Sequence, residues 1–513
     1  LLADIERSFD ENINRPDYAR KLYLIEHCIY GVDIQPIAIQ ISKLRFFISL
    51  VVDQRTNNDP ADNFGIRPLP NLEAKFVAAN TLIGLAKKDA KLFDTDAIKE
   101  KEQALKLAKH KIFSAKTIRT KRKYRQLVND LRQELASMME KTGAVGNEEA
   151  RQLASWDMFD QNTYSTFFDS LWMFGIKDGF DIIIGNPPYN ELRDLTDEEQ
   201  IIYKTSRFYQ HAQGGRVNMF QFFYPFAIEN LKPSAICSFI TQNSLLAEES
   251  ALSNRSLIFK ECTILGIDSF PERDNKKLRV FESAKMSVCI CLLKQGKVSD
   301  YKFDIRIWKD KYMSECSILH TTQEAIENVY PDELILPITD NHRWKILLKM
   351  KSSSNFSITA QAGEIDMTKY KRKFCQDDKQ RRVVMGAQVL RYRLTDTPSQ
   401  GQVQYLVPGQ VQLTEARLGD VRLTRIVMQR ITGVDSKYRI IATLLPKNFY
   451  CANSVNYISP RRNGINLYYL LGVLNSRAVN FFFKQTSTNT NVTGKEIAKF
   501  PIIVGVGNIE NRI

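Results

Sequence analysis

Asn186-Pro187-Pro188-Tyr189 follow a run of apolar residues, Phe180 to Ile184, and a glycine, Gly185. The residue types in this tetrapeptide point to one kind of chemistry. Asn supplies an acceptor oxygen as well as donors. Two prolines fix φ and remove two N–H groups, so the loop is stiff and its carbonyls meet no competing donor. Tyr offers a flat face. A rigid, acceptor-rich pocket with an aromatic wall suits a planar group that bears an NH₂. The exocyclic amine of adenine has two N–H groups to satisfy. The Asn186 side-chain oxygen would take one and the Pro187 carbonyl the other. Two such hydrogen bonds help to pull the nitrogen out of conjugation and make it nucleophilic, with Tyr189 stacked on the base. An adenine inside a duplex cannot reach such a pocket, so the base must flip out. The plain alternative is a strand-ending turn, since Asn-Pro is a common turn starter.

The elements that must position this loop are legible around it. "FDIIIG" reads as a buried strand, and in open α/β sheets ligands sit beyond the carboxyl ends of strands. Residues 22–50 read as strand, turn, helix, with an apolar run that stops at Gly31-Val32-Asp33. Pro36 suits the first turn of the helix that follows. Ile37, Ile41, Leu44 and Ile48 then form one apolar face. "AKFVAAN" is a second strand, ending at Asn80. Residues 86–142 are rich in helix formers and contain no Gly or Pro. They predict one or two long solvated helices, or a hairpin, inserted between strands. Their basic cluster, Lys121-Arg122-Lys123, reads either as a contact to DNA phosphates or as a charged helix face. Strand and helix patterns then alternate to "AKMSVCICLLKQ", which predicts a parallel or mostly parallel α/β sheet. After about residue 325 short β-rich pieces lie between Gly, Pro and Asp turns and end in one helix, Leu467 to Phe483. That texture predicts a separate α+β domain.

The bulk composition narrows the partners. The chain has 513 residues, 43% hydrophobic and 25% charged, with a formal net charge of +14. The size predicts two or three domains. The charge favours a polyanion, nucleic acid first, against the alternative of a basic protein without such a partner. The 8 Cys are scattered without a C-x-x-C pair and read as free thiols in a reducing compartment, the cytoplasm. Cys289 and Cys291 are two apart, on one face of a strand. The 5 His form no cluster, which argues against zinc. No signal peptide stands out, and "LYYLLGVLNSRAVNFFF" is broken by Asn475, Arg477 and Asn480, too polar for a bilayer centre.

With these residues in view, the chain resembles the N6-adenine DNA methyltransferases, and specifically the methyltransferase–specificity part of type IIG restriction–modification enzymes. "GFDIIIGNPPYN" carries the resemblance most strongly, and it assigns catalysis to Asn186, Pro187, Pro188 and Tyr189. "YGVDIQPIAIQISKLRFFISL" is similar to the motif that binds S-adenosylmethionine. The resemblance implies that Asp33 takes the ribose hydroxyls, with Ile34 as a neighbour of the cofactor's adenine ring. Asp33 also reads as a plain helix N-cap. "FVAANTLIG" places Asn80 near that adenine. "KLRVFESAKMSVCICLL" resembles the segment with a second aromatic wall for the flipped base, assigned to Phe281, which reads equally as a core Phe. "YYLLGVLNSRAVNFFFKQTSTNTNVTGKEIAKFPI" resembles the close of a target-recognition domain. Arg422, Arg425, Arg430 and Lys437 could then face double-stranded DNA, or be solvated surface charges.

The implied fold is a Rossmann-like methyltransferase sheet over 1–325, with the helical insertion at 86–142, followed by a target-recognition domain over 326–513. One departure stands out: no glycine precedes Gly31, so the family's Gly-rich cofactor motif is missing ahead of Asp33. The expectation is that the chain begins inside the methyltransferase domain, incomplete at its N-terminus, with that motif and a nuclease domain upstream, and that alone it binds the cofactor poorly. No metal is implied. Two other readings stay open: a non-catalytic DNA-specificity fragment, and a protein methyltransferase acting on a glutamine amide, because some such enzymes share the Asn-Pro-Pro-Tyr loop.

Overall fold

A computed structural model describes residues 16–66, 72–84, 96–113, 115, 117–143, 145–160, 162–213, 216–398, 400–433, 436–487 and 491–504. The first ten residues of the insertion, 86–95, lie outside them. The chain forms two compact units, 1–237 and 238–513.

In the first unit, β1 (Gly31–Asp33) leads into helix α1 (Pro36–Val52), and β1 pairs in parallel with β2 (Phe76–Ala78), Asp33 opposite Ala78. Pro36 opens α1 as its sequence position predicts. The apolar stripe of α1 is real, but it faces outward: Ile37 is 63% exposed and Leu44 54%, while Ile39 and Leu50 turn inward. The expected insertion is a packed hairpin rather than a pair of solvated rods. Helices α2 (Asp96–Phe113) and α3 (Ile118–Lys141) bury Leu105, Ala108 and Ile112 against Val128, Leu131 and Leu135, beside Phe167, Phe168 and Trp172. Helix α4 (Asn147–Ser155) adds Ala150 and Leu153 to this core.

Lys109 of α2 sits inside that core, 6% exposed. Its Nζ donates to the carbonyls of Trp172 at 2.5 Å and Met173 at 3.2 Å. Burial, with help from the nearby Arg132 guanidinium, lowers its pKa from 10.5 to about 7. Between about pH 7 and 10.5 the unfolded chain therefore binds one more proton at Lys109 than the folded chain, and stability rises with pH across that window. The contribution is lost as pH falls towards 7. Each pH unit is worth about 1.4 kcal/mol at most. The urea-unfolding midpoint is expected to rise from pH 7 to pH 9, and to rise less in Lys109→Met. Parallel curves for the two proteins would refute the assignment.

Strand β3 (Phe180–Gly185) follows Gly179, whose φ of +88° and 2.7 Å approach of an added Cβ to the Asn230 carbonyl exclude other residues. The strand is where the sequence places it but is not buried. It is the terminal strand of its sheet, with β4 as neighbour on one side, and Ile182 and Ile184 are 63% and 76% exposed. A continuous apolar run reads as a central strand; here it lies on an edge among the described residues. Helices α5 (Asp197–Thr205) and α6 (Phe223–Asn230) follow, and β4 (Leu231–Gln242) runs across the boundary into the second unit.

In the second unit β4 is followed across the sheet by β6 (Val288–Gln295), β5 (Cys262–Phe270), β7 (Phe303–Trp308) and β8 (Cys316–Thr321), with α7 (Leu252–Glu261) leading into β5. The sheet is mixed rather than mostly parallel. β5 runs antiparallel to β6 and parallel to β7, and β7 antiparallel to β8. A loop rather than a crossover helix joins β5 to β6, which dictates the reversal. Cys289 and Cys291 share the inner face of β6, and all 8 cysteines are free.

The β-rich remainder builds two four-stranded sheets. One has the order β10-β12-β11-β15, from Phe374–Cys375, Gln404–Leu406, Arg381–Val384 and Tyr450–Cys451. The other has the order β14-β13-β16-β9, from Ala442–Leu445, Arg425–Gln429, Val455–Ile458 and Gln361–Ala362. The single helix expected from Leu467 to Phe483 is two, α8 (Leu467–Leu474) and α9 (Arg477–Thr486). Ser476 caps α9 by accepting from the Val479 N–H, and the Asn475 side chain turns away to accept from the Ala442 N–H and donate to the Ala442 carbonyl. Two polar residues that satisfy backbone groups thus break a continuous apolar period.

Candidate active site

The loop at the end of β3 is built by its own prolines and by one clamp. Pro187 is buried and Pro188 exposed, so the first proline anchors the turn and the second shapes its outer side. Asn186 is exposed, and its side chain has no hydrogen-bond partner among the described residues. Tyr189 is half-buried, and its carbonyl accepts from the Asn218 side-chain amide at 2.7 Å. Asn218 in turn is fixed: its side-chain oxygen accepts from the Phe220 N–H, and its own N–H donates to Gln221 Oε1 at 2.9 Å. Both are buried. The strand-like pairing of Glu191 with Asn218, and the bonds from Leu192 N–H to the Val217 carbonyl and from Met219 N–H to the Asn190 carbonyl, complete the clamp.

Asn218 and Gln221, which hold this loop, were missed by the sequence reading. Their signal was available, because Asn-x-x-Gln ahead of an aromatic helix is a capping box. Asn218→Ala is expected to release Tyr189 and lower turnover by about 10- to 100-fold with duplex affinity kept, as a misplacement near 1 Å does. Unchanged kcat would show that Tyr189 is held without it.

Asp33 and Asn80 are brought together by the parallel pairing of β1 and β2. Asp33 ends β1 opposite Ala78, and the Ala79 N–H donates to the Asp33 carbonyl. One carboxylate oxygen accepts from the Gln35 N–H at 2.8 Å, while the other has no partner among the described residues. This is a turn around Asp33 and not an N-cap; Gln35 holds the cap position of α1 without a side-chain bond. Ile34 is 43% exposed beside it. The Asn80 side chain is committed locally, accepting from the Leu82 N–H at 3.2 Å and donating to the Tyr203 hydroxyl at 3.1 Å. An exposed carboxylate with a spare oxygen and an apolar neighbour at the carboxyl end of parallel strands has the donor set for a ribose diol with a flat ring.

Phe281 belongs to the second unit, in the loop between β5 and β6, where it is half-buried. The loop is pinned by Arg279, whose guanidinium donates to the Arg273 and Glu282 carbonyls, and by Ser287, which donates to the Pro271 carbonyl at 2.7 Å.

The four basic residues expected on DNA separate. Arg422 and Lys437 are exposed. Arg430 is half-buried and donates to the Asn453 carbonyl at 3.2 Å. Arg425 is a correction: its side chain is 0% exposed and paired with Glu364, which removes it from any surface. Charge class alone does not tell a solvated guanidinium from one built into a core.

Two family models match the sequence on either side of a gap. Residues 27–276 match the Eco57I restriction–modification methylase, and residues 382–502 the TaqI-like C-terminal specificity domain. The chain carries a restriction–modification methylase domain and a specificity domain. The methylase match contains Asp33, Ile34, Asn80 and the loop from Asn186 to Tyr189; Phe281 lies five residues past its end. Arg422, Arg425, Arg430 and Lys437 fall in the specificity domain.

Among solved structures, the type IIL restriction–modification enzyme MmeI bound to DNA is 10% identical, with a TM-score of 0.44, over 100% of this chain and 67% of that one. The type IIG restriction endonuclease BpuSI is 11% identical, with a TM-score of 0.32, over 83% of this chain and 59% of that one. A putative class I S-adenosylmethionine-dependent methyltransferase from Listeria monocytogenes is 16% identical, with a TM-score of 0.21, over 36% of this chain and 56% of that one. The chain thus spans between 56% and 67% of the length of these three. No curated protein matches it by sequence. Among the described residues no helix is long and apolar enough to cross a membrane.

Proposed function

We propose that this chain is the catalytic-loop and recognition part of a DNA methyltransferase that modifies the N6 amine of a flipped adenine, within a type IIG restriction–modification enzyme. The observation that carries the reading is the loop itself. An exposed Asn186 amide without a local partner stands next to two prolines at the carboxyl end of β3, with Tyr189 held in place by Asn218.

In this reading Asn186 Oδ1 and the Pro187 carbonyl accept the two N–H groups of the adenine amine and draw its lone pair towards attack. Tyr189 stacks on one face of the base. Asp33 and Ile34 hold the ribose and adenine of S-adenosylmethionine, with Asn80 shaping the adjoining strand end. S-adenosylmethionine, once bound there, would supply an electrophilic methyl group to N6 and leave as its thioether, with the displaced N6 proton passing to water. The chain's contribution is positioning and polarisation, with no covalent intermediate on a side chain. The division into a methyltransferase part through residue 325 and a recognition part from 326, with Arg422, Arg430 and Lys437 towards duplex DNA, belongs to the same proposal, as does a nuclease elsewhere in the full-length polypeptide.

The deciding experiment is expression of the complete reading frame in a methylation-deficient host, followed by sequencing of the host DNA for N6-methyladenine. A recurring modified motif is the expected result and names the target. Well-expressed protein with no modified adenine would sink the proposal and favour the specificity-fragment reading.

A further inference from the structure

The chemistry of the loop leaves the α2–α3 hairpin without a role, and its charges are unevenly matched. Along the shaft some cations have carboxylate partners, although Lys106 and Lys141 have none among the described residues: Lys101 pairs with Glu134, and Arg125 with Glu73 at 3.8 Å. Arg132, 3% exposed, donates to the Ala154 carbonyl at 3.0 Å. The tip differs. From Lys111 to Lys123 the sequence holds Lys111, Lys116, Arg119, Lys121, Arg122 and Lys123, and no Asp or Glu. Arg119, Arg122 and Lys123 are exposed and Lys121 half-exposed, and none of the four has a carboxylate within ion-pair distance among the described residues.

Fold stability does not explain this arrangement. The first turn of α3 has no acidic residue, so its cations add to the positive end of the helix instead of offsetting it. Four neighbouring like charges repel one another as well. Arg119, Arg122 and Lys123 are spaced i, i+3, i+4 and so share one side of the helix, about 5–6 Å apart at their Cβ atoms. A row of long, unpaired cations at that spacing matches a repeating chain of single negative charges. It does not match a compact ligand or an acidic protein surface, where fixed partners are expected.

We infer that the tip of this hairpin is a second DNA contact, taking the phosphate backbone of the duplex without regard to sequence. The inference rests on the proposed function and adds to it a contact outside the recognition domain. Phosphate contact positions a duplex, and base contact specifies it; side chains with no partner to fix them do the former.

The test uses the full-length protein and the variant Arg119→Ala/Lys121→Ala/Arg122→Ala/Lys123→Ala. Alanine favours helix, so the fold is kept, and methyl transfer at saturating DNA serves as the control. Duplex affinity is measured against salt on the target sequence and on an unrelated one. The slope of log affinity against log salt is expected to fall by up to about 3 to 4, near 0.9 for each phosphate no longer neutralised, equally on both duplexes. A parent that binds DNA with a steep slope and a variant that keeps that slope would overturn the inference and leave the proposed function standing. A weakening confined to the target sequence would also overturn it, since that marks base reading. A parent that binds no duplex overturns both.

Discussion

Asn186→Ala in the full-length protein is expected to lower methyl transfer about a thousandfold, with duplex affinity within a few-fold of the parent. Removing one preorganised group from a charge-developing centre costs on the order of 100- to 1,000-fold. Under the proposed reading Asn186 falls at the upper end of that range, because it would accept from the very nitrogen that attacks. The fold should not notice the change, as the side chain is exposed and bonds to nothing else in the described structure. Loss of rate therefore reports chemistry and not unfolding. Asn186→Asp keeps an acceptor oxygen and is expected to keep part of the rate, which separates hydrogen-bond acceptance from mere shape. Single-turnover rates and duplex affinity, measured on the same preparations, check both statements. Normal turnover in the alanine variant would remove Asn186 from the reaction.

The second large effect lies in the specificity domain and concerns stability. Glu364 accepts from Arg425 Nη2 at 3.1 Å and Nη1 at 3.3 Å, and from the Cys451 N–H at 3.0 Å, with both side chains fully buried. Arg425 also donates to the Phe449 carbonyl at 3.0 Å and lies 4.4 Å over the ring of Tyr457. Glu364→Ala leaves a guanidinium in the core without its counter-charge. Removing one partner of such a pair costs roughly 3–5 kcal/mol. Replacing both with apolar residues, Glu364→Leu with Arg425→Met, is expected to recover most of that loss, because the desolvation of both charges disappears together. Urea-unfolding midpoints of the parent, each single variant and the double variant form the cycle that tests this. A cost below about 1 kcal/mol for Glu364→Ala would show that water reaches the pair.

These two residues mark where sequence reading succeeds and fails. The Asn-Pro-Pro-Tyr loop is legible because its chemistry is local: two prolines and an amide have the same properties wherever the chain goes. The strand before it, the strand ends at Asp33 and Ala78, and the helical insertion are legible for the same reason, through period and punctuation, but Leu22–His27, read as the start of the first strand, close a helix, Pro16–His27, and leave that strand only Gly31–Asp33. What the sequence hides is which way an element faces. The isoleucines of α1 and β3 predict a covered face, and both rows are exposed in the described structure. Arg425 looks like its neighbours Arg422 and Arg430 until β13 turns it inward onto Glu364. The count of positive charge has the same blind spot. Arg255 donates to the carbonyls of Leu245, Glu248 and Glu333, and Arg439 to that of Ser487, so both tie the core together instead of coating a surface.

The outward row on α1 and the open edge at β3 also govern how this polypeptide behaves in a test tube. Covering a single isoleucine is worth about 1.5–3 kcal/mol, and an unpaired strand edge is a template for another chain. This chain by itself is accordingly expected to self-associate as its concentration rises and to bind apolar dyes, which light scattering and dye fluorescence across a dilution series would check.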